Sequence, residues 1–441
     1  MQDKLETSLS ILIKWFDTMR AAPGAYAGPI VHWWQCSFLY CGPGVNWTYE
    51  GLLESFAELY KKTKYEYFIQ RAVEAGSFIL KSRLPSGLYE NSFFELNPLT
   101  DTSSVHEAGV ALGLISIGTT LDSIGLKGKP WINAARNHAE EILYQLLWDP
   151  TVKTFRSGYG NIVRGGYILN IMATISQVFL KLYHFLRKQS YKEAVLHVLQ
   201  FILKYQRRSG NDLLDGSFPQ GLHDLNAYSL YNARVVNFLL DVYEYLEEDR
   251  ALEAAEGCGN FLLRLEDEDG GFALLADRKG RIYRRPKLIG GCSEVIRALI
   301  RLKSYSSDFK NFDEWKHINW LLKFQDSIGG FRTFKGLHSD ESKVDYKEVF
   351  HVCGWNDKIL RLLSLIYEGS SIQLQQEIQE THIECWLGNK KSFFIENEKE
   401  VMIKDLTENI IYRWTKGENL ADVNSKYLNF FTRPTPYSYF I

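Results

Sequence analysis

One motif recurs along the chain and constrains its fold more than any other feature. It consists of the last turns of an apolar helix, a short charged turn and Gly-Gly-aromatic. Two full copies, FLLRLEDEDGGF and WLLKFQDSIGGF, occupy residues 261–272 and 320–331, and weaker copies end at Tyr89, Tyr159 and Phe218. The copies lie about 60 residues apart, and a fixed period of this length predicts an array of repeated helical units. We expect Gly270, Gly271, Gly329 and Gly330 to lie in turns, because a helix often stops at a residue that tolerates positive φ.

Each repeat contains two helices of different character. The outer set is amphipathic and charged, and its members cover about residues 4–20, 65–83, 131–148, 191–207, 250–266, 312–326 and 371–387. The inner set is more uniformly apolar and rich in small residues, and its members begin near residues 47, 106, 167, 231, 292 and 355. This alternation predicts an all-α fold, an (α/α)6 toroid of six helical hairpins, because closing the ring buries every apolar stripe. An open solenoid is the alternative.

The loops and the C-terminal region complete this architecture. Loops from an outer to an inner helix are long, which predicts a working face where the inner helices begin. The toroid is predicted over residues 1–388. The segments SFFIEN, EVMIKDL and NIIYRWT then alternate with period two, which predicts a small antiparallel β appendage over residues 389–441. The final RPTPYSYFI is predicted to be a strap or a loose tail.

Charge and cysteine usage exclude several functions. The net charge of −2 gives no general case for binding nucleic acid or an anionic membrane. Six cysteines without a CxxC pair are typical of reduced core thiols, which favours a cytoplasmic protein. The N-terminal segment has Lys14 inside its apolar run, so it predicts an amphipathic helix rather than a signal peptide. The sequence has no run of about 18 apolar residues and therefore predicts no membrane span.

Ionisable side chains gather at the predicted starts of the inner helices. If the ring closes, Glu50, Glu107, His351 and Asp357 should face one funnel. Glycosyl transfer uses two carboxylates, and epimerisation or elimination uses a base and an acid. The alternative is that such acids only stabilise helix N-termini, by about 0.3–1 kcal/mol. The catalytic candidates are Glu50, His106, Glu107, His351 and Asp357.

Other side chains near these helix starts are candidate contacts for a substrate. The aromatic-rich segment 32–50 favours stacking on sugar faces, although it also fits a terpenoid pocket or simple packing between helices. The substrate-binding candidates are Trp47, Tyr228, Tyr231, Asn232, Arg234 and Trp355.

A basic segment, DRKGRIYRRPK, runs directly into the fifth inner helix at residues 277–287. The residues around it predict a hairpin that leans over the mouth of the ring. Its excess of positive charge favours an anionic ligand such as a uronate, a phosphate or a diphosphate, which Arg281 and Arg284 would bind. A hairpin that is merely solvated is the alternative.

Helix-turn-Gly-Gly-aromatic repeats resemble those of terpenoid cyclases and protein prenyltransferases. The predicted ring also resembles the six-hairpin glycosidases, sugar epimerases, glucuronyl epimerases and lanthionine cyclases. The Asp-x-Asp-Asp acid of the class II terpene cyclases is absent, and the Cys-His pair of the lanthionine cyclases has no counterpart beside the CGPG that starts at Cys41.

The resemblance to prenyltransferases also suggests a test for zinc. LIGGC ending at Cys292 and FHVC around His351 are similar to the surroundings of two of their zinc ligands. The third ligand, an aspartate, is replaced by Gly290, and two ligands do not hold a catalytic zinc. Asp345 or Glu294 would have to substitute. We therefore predict no metal and no cofactor.

These observations favour a carbohydrate-active enzyme that acts on an anionic or uronate-containing glycan by general acid/base chemistry. Epimerase, lyase and hydrolase are not separated by the sequence. One alternative is a terpenoid cyclase-like or prenyltransferase-like enzyme with a diphosphate substrate. The other is a glycan-binding toroid without catalytic activity, in which the acids at the mouth are only helix caps.

Overall fold

The structure is a computed structural model. It describes residues 2–31, 38–41, 45–90, 104–158, 166–208, 210, 212–374 and 377–418. Residues 32–37 of the aromatic-rich segment, residues 42–44 of the CGPG motif and the predicted tail at 433–441 lie outside this part of the chain.

The described residues form twelve helices in two alternating sets. The odd-numbered, outer helices are α1 (Gln2–Thr18), α3 (Glu66–Lys81), α5 (Lys129–His138), α7 (Gln189–Lys204), α9 (Asp249–Arg264) and α11 (Glu314–Leu322). Helix α5 continues through a π-helical stretch, Ala139–Tyr144, and a last turn, Gln145–Leu147. The even-numbered, inner helices are α2 (Thr48–Thr63), α4 (Ser104–Ser123), α6 (Leu169–Leu186), α8 (Ser229–Leu246), α10 (Ile289–Tyr305) and α12 (Cys353–Ile366). A short 3₁₀ turn, Ser307–Phe309, lies between α10 and α11.

The inner helices form a closed ring. Each of them packs against the next one in the order α2, α4, α6, α8, α10 and α12, and α12 packs back against α2. The N-terminal helix α1 packs against α12 and thereby covers the point of closure. The predicted (α/α)6 toroid is confirmed, and the open solenoid is excluded. None of the helices in the described part of the chain combines the length and apolar character needed to cross a bilayer.

The glycine turns of the repeat lie where the sequence predicts them. Gly270 and Gly329 have φ values of 94° and 102°, which residues with a side chain rarely adopt. Phe272 and Phe331 follow them and are fully buried. The second glycine of the last copy, Gly330, is needed for space, because an added Cβ would lie 2.6 Å from Cγ of His351.

Short antiparallel hairpins occupy the loops of the ring. Their strands are β1 (Arg20–Ala22), β2 (Ala25–Tyr26), β3 (Gly28–Val31), β4 (Phe38–Cys41), β5 (Trp148–Asp149), β6 (Thr154–Phe155), β7 (Ala227–Tyr228), β8 (Leu275–Ala276), β9 (Ile282–Tyr283), β10 (Lys287–Leu288) and β11 (Phe334–Lys335). The predicted basic hairpin is β8–β9, and β8 also pairs with β7, so the hairpin lies beside the start of α8.

The C-terminal strands form a four-stranded antiparallel meander. They are β12 (Thr381–Leu387), β13 (Lys390–Glu396), β14 (Glu400–Asp405) and β15 (Ile410–Thr415), in that spatial order. The outer helix predicted over 371–387 is wrong. In THIECWL, alternate side chains are buried, so the segment has the period-two pattern of a strand. The predicted boundary after residue 388 lies within the β12–β13 hairpin.

Candidate functional site

The mouth of the ring is formed where the inner helices begin. Four of them, α6, α8, α10 and α12, start directly after a residue in extended conformation. Each of the four extended residues leads in from the loop that connects the inner helix to the preceding outer helix. The first turns of these helices therefore carry side chains to one face of the toroid, as the sequence predicts.

Glu50 of α2 reaches across the ring near this face. One of its carboxylate oxygens accepts a hydrogen bond from Arg234 at 2.8 Å and the other from Arg361 at 2.9 Å. Arg234 lies on α8, which is the third helix from α2 in either direction around the ring. Burial alone would raise the pKa of Glu50, but the two guanidinium groups hold it well below its usual range. Glu50 is therefore an ionised group with fixed partners.

Further buried charges extend this contact into a central ion network, defined here as Glu50, Glu54, Arg234, Glu294, Arg297 and Arg361. Glu294 accepts from Arg297 at 3.0 Å, and Arg361 lies 2.5 Å from Glu54. Burial favours the neutral acid, yet the surrounding arginines lower the pKa of Glu294 to about 2. Buried, paired charges of this kind fix the rotation of the helices that carry them.

Among the described residues of this region, Asp357 is the carboxyl group whose pKa is raised to near neutrality. It is 0% exposed, and Oδ2 accepts from Nζ of Lys358 at 2.6 Å and from the backbone N–H of Gly51 at 3.2 Å. Oδ1 has no hydrogen-bond partner within the described residues, so it is the oxygen that is left to carry a proton. Burial outweighs the effect of Lys358 and raises the pKa of Asp357 to about 7.

An aromatic shelf, defined here as Trp47, His106 and Trp355, is formed at the starts of α2, α4 and α12, and α12 also carries Asp357. The ring centroids of Trp47 and His106 are 5.1 Å apart, and those of Trp47 and Trp355 are 5.5 Å apart. Nε1 of Trp47 donates to the carbonyl of Gly354 at 3.0 Å, one helical turn before Asp357. The shelf therefore joins the starts of α4, α2 and α12 around the buried acid.

Tyr228, Tyr231 and Asn232 lie at the start of α8, on the far side of the ring from Trp47. The hydroxyl group of Tyr228 donates to Asp224 at 2.9 Å, and the rings of Tyr228 and Tyr231 are 5.3 Å apart. Asn232 has a structural role, since it bonds both the N–H and the carbonyl group of Phe218.

The arginines of the basic hairpin have acidic partners. Arg281 is 71% exposed and lies 3.0 Å from Asp277, while Arg284 pairs with Asp267. Lys287 contacts Asp267 and Asp269 at 2.6 and 2.5 Å. The positive charge that the sequence shows on this hairpin is therefore largely balanced by nearby carboxylates.

Glu107 does not lie at the ring axis. One of its oxygens accepts from the backbone N–H of Tyr89 at 3.3 Å, and the other lies 2.8 Å from Nε2 of His138 on the outer helix α5. Asn232 and Asn356, at the equivalent fourth position of α8 and α12, bond the N–H of the aromatic residue after the glycine turn in the same way. Glu107 therefore has a structural role, because it joins the glycine turn and the outer helix α5 to α4.

His351 also points away from the axis. Its Nδ1 lies 2.6 Å from Glu396 of β13, and its Nε2 lies 3.0 Å from Asp326 in the last glycine turn. Burial opposes protonation, but the two carboxylates outweigh it and raise the pKa of His351 to about 9. The expectation that Glu50, Glu107, His351 and Asp357 face one funnel is therefore wrong: only Glu50 and Asp357 lie together.

The two residues that resemble zinc ligands, Cys292 and His351, have other partners in the structure. Sγ of Cys292 lies 3.7 Å from the carbonyl oxygen of Phe272, and burial raises the pKa of its thiol to about 12. His351 is engaged by its two carboxylates. Within the described residues no group of three or more His, Cys, Asp and Glu side chains is arranged to hold a metal ion.

Sequence reasoning missed Glu54, Arg297, Lys358 and Arg361. A signal was available, since Glu54 and Arg361 follow Glu50 and Asp357 by four residues and Arg297 follows Glu294 by three. Side chains at these spacings share a helix face. Charges repeated along the same face of otherwise apolar helices therefore indicate a polar ring axis.

Comparisons with known proteins agree with this architecture. No protein-family model matches the sequence, and no curated protein matches it. Among solved structures, a cellobiose 2-epimerase from Bacillus thermoamylovorans has a TM-score of 0.63 at 10% identity, covering 82% of this chain and 98% of that chain. A D-mannose isomerase has a TM-score of 0.62 at 12% identity, with 82% and 97% covered. An unsaturated glucuronyl hydrolase from Bacillus sp. GL1 has a TM-score of 0.61 at 13% identity, with 86% and 100% covered. The chain has the (α/α)6 fold of the six-hairpin glycosidases and sugar epimerases.

Proposed function

We propose that the protein is a carbohydrate-active enzyme that acts on an anionic or uronate-containing glycan by general acid/base chemistry at the mouth of the ring. The observation that carries this proposal is Asp357, a buried carboxyl group with a pKa of about 7 beside an aromatic shelf. A group whose pKa is close to the working pH is suited to both giving and taking a proton. The names of the structural neighbours, a cellobiose epimerase, a mannose isomerase and a glucuronyl hydrolase, support a carbohydrate substrate, and that of the hydrolase supports a uronate.

The proposed roles follow from the geometry. Trp47 is half-buried and offers a flat apolar face for a sugar ring, the buried Trp355 packs against it, and His106 beside it is the second candidate for proton transfer. Asp357 holds the proton on Oδ1, while Lys358 and Gly51 fix its other oxygen. Glu50 acts electrostatically, since its two arginine partners keep it ionised. Epimerisation, elimination and hydrolysis all need such proton transfers, so the products decide between them.

The acidic group of the substrate is assigned to the side of the mouth that carries the basic hairpin. The β8–β9 hairpin pairs with β7 and so lies next to Tyr228. Arg281 is an exposed cation of this hairpin, and it would exchange part of its contact with Asp277 for a substrate carboxylate. Arg281→Gln should raise KM for uronate-containing substrates and leave KM for neutral sugars unchanged. An equal effect on both would remove the anionic part of the proposal.

The central experiment is a substrate screen with matched variants. Purified protein is incubated with neutral disaccharides, uronate-containing oligosaccharides and unsaturated uronides, and the products are followed by NMR. Asp357→Asn should reduce turnover by about 100-fold or more, the usual contribution of a general acid or base. The control is Asp149→Asn, which removes a buried aspartate paired with Arg156 in the β5–β6 hairpin and should leave kcat unchanged.

Two outcomes would contradict the proposal. One is turnover that survives Asp357→Asn. The other is binding of glycans without any turnover, which would favour a non-catalytic toroid.

We also propose a cytoplasmic location, because the described cysteines Cys258, Cys292, Cys353 and Cys385 are free and buried.

A further inference from the structure

A second cavity opens at the opposite end of the ring from the mouth. Its volume is about 460 Å³, and residues in the later turns of all six inner helices line it. The lining includes Glu54 of α2, Ser116 of α4, Lys181 of α6, Asp241 of α8, Arg301 of α10 and Ser364 of α12. The working face proposed above is formed by the first turns of the same helices, so the two sites lie at opposite ends of the ring axis.

The central ion network separates this cavity from the mouth. Arg297 and Arg361 line the cavity and at the same time bond Glu294 and Glu50, which lie further towards the mouth. These paired charges close the axis between the two openings. A ligand in the cavity would therefore contact the network from the side that the glycan does not reach.

Four acids of the described residues line the cavity, and each has a cationic partner; Glu58 lies 3.5 Å from Lys62, and Glu244 lies 3.5 Å from Arg301. Glu54 contacts Lys181 at 2.8 Å and Arg361 at 2.5 Å, and Asp241 contacts Arg301 at 2.6 Å. Asp241 also accepts from Gln177 at 2.6 Å. These carboxylates hold the surrounding side chains in place and have little capacity left for a further cation.

Arg297 is the under-neutralised charge of the cavity. It is 8% exposed, and its one ion pair in the described structure is the contact with Glu294. Its Nε is buried without a hydrogen-bond partner among the described residues, and so is Nε of Arg361. Burial and the positive charge of Arg361 both lower the pKa of Arg297, which is the opposite of what a fully paired arginine shows. A buried guanidinium group with unused donors favours an anion.

We propose that this cavity is a second binding site, for a small hydroxylated molecule with one oxyanion group, either a phosphate ester or a carboxylate. Arg297 binds the oxyanion, and Lys181 and Arg301 lie in the same lining, each held in place by a carboxylate. The hydroxyl groups of Ser116, Thr119 and Ser364 line the walls, and they suit the hydroxyl groups of a sugar acid or a sugar phosphate. Arg361 bonds both Glu54 in this cavity and Glu50 near the mouth. A ligand bound in the cavity would therefore change the surroundings of Glu50 at the other site.

The test is calorimetric titration of the whole protein at constant ionic strength. The ligands are orthophosphate, glucose 6-phosphate and glucuronate, with glucose as the neutral control. We expect one orthophosphate to bind per chain, and displacement of orthophosphate by glucose 6-phosphate or by glucuronate shows whether a phosphate ester or a carboxylate is preferred at this site. Two variants address the cavity: Arg297→Gln removes the charge, and Ser116→Leu fills the space without changing any charge. Both should weaken binding at least tenfold.

The matched control is Arg281→Gln, which removes an exposed arginine at the mouth and should leave phosphate binding unchanged. Ser116→Leu keeps the test decisive even if Arg297→Gln fails to fold. Absence of binding by every oxyanion overturns the proposal. So does binding that survives Ser116→Leu and is lost in Arg281→Gln, because the anion would then occupy the hairpin at the mouth.

Discussion

At the scale of the residue, Glu50 and Asp357 show how two buried carboxyl groups of one region acquire opposite proton affinities. Glu50 has two guanidinium partners and stays ionised, whereas Asp357 has one lysine and is dominated by burial. The sequence predicts that acids lie at the starts of the inner helices, but it does not give their rotation about the helix axis. For this reason the different environments of Glu107 and Glu50 could not be predicted.

The raised pKa of Asp357 makes the stability of the protein depend on pH in a defined window. The folded state keeps a proton on Asp357 up to its pKa of about 7, whereas the unfolded chain loses it near the ordinary aspartate pKa of 3.8. The folded state therefore binds more protons between these values, and the free energy of unfolding should fall as the pH rises from 4 to 7. Urea unfolding of wild-type protein and Asp357→Asn across this range measures the effect. The slope should be smaller in the variant, and an identical slope would contradict the assignment of the proton to Asp357.

At the scale of the element, the glycine turn is the structural feature that recurs from repeat to repeat. Gly330→Val should destabilise the protein by more than about 1 kcal/mol, as overpacking of a full core commonly does. The cause is contact, since an added Cβ would lie 2.6 Å from Cγ of His351 and 3.0 Å from Cε2 of Trp15. Urea melts measure the cost.

Gly257→Ala in helix α9 is the control for this substitution. Its new methyl group would lie 3.2 Å from Nε2 of Gln206 and 3.7 Å from Cα of Gly216, and alanine favours the helix. If Gly330→Val leaves the free energy of unfolding unchanged, close packing does not explain the glycine at this position of the repeat.

Helix positions were predictable because the apolar period is local. The predicted starts of the inner helices, near 47, 106, 167, 231, 292 and 355, agree with Thr48, Ser104, Leu169, Ser229, Ile289 and Cys353. The region after α12 was predicted incorrectly because the repeat was extended by one unit beyond its last glycine turn. The alternation in THIECWL already indicated a strand, and the meander it joins was expected only from residue 389 onward.

At the scale of the whole molecule, a clamp of buried charges joins the ring to the C-terminal sheet. Glu396 of β13 accepts from Trp15 of α1 at 2.9 Å and from Lys416 at 2.9 Å, and it contacts His351 at 2.6 Å. The second carboxylate on His351, Asp326, is itself paired with Arg332 at 2.8 Å. These partners come from sequence positions far apart, so no local pattern could reveal the clamp.

The clamp should lose strength at alkaline pH. His351 has a pKa of about 9 in the folded protein against an ordinary histidine pKa of 6.5, so its contribution to stability is complete below pH 6.5 and is lost as the pH rises to 9. Denaturation at pH 6.5, 8 and 9.5 should show falling stability in the wild type and a flatter profile in His351→Gln. Contacts with Lys416 and Arg332 help to hold the pKa of Glu396 and of Asp326 below their usual values, so both carboxylates stay ionised in this range. A variant that retains the full pH dependence would show that another group is responsible.

Closure of the ring also has a consequence for how the protein is made. Gln325 donates from Nε2 to the carbonyl of Ser8 at 2.9 Å, and Gly329 packs so tightly on α1 that a Cβ would lie 2.3 Å from the carbonyl oxygen of Ile11. The helix that leaves the ribosome first among the twelve is thus held by residues translated more than 300 positions later. Contacts this distant in sequence form late, and until then the growing chain exposes an apolar edge that chaperones recognise. We expect nascent chains to become resistant to proteases abruptly, once α12 has emerged, rather than repeat by repeat.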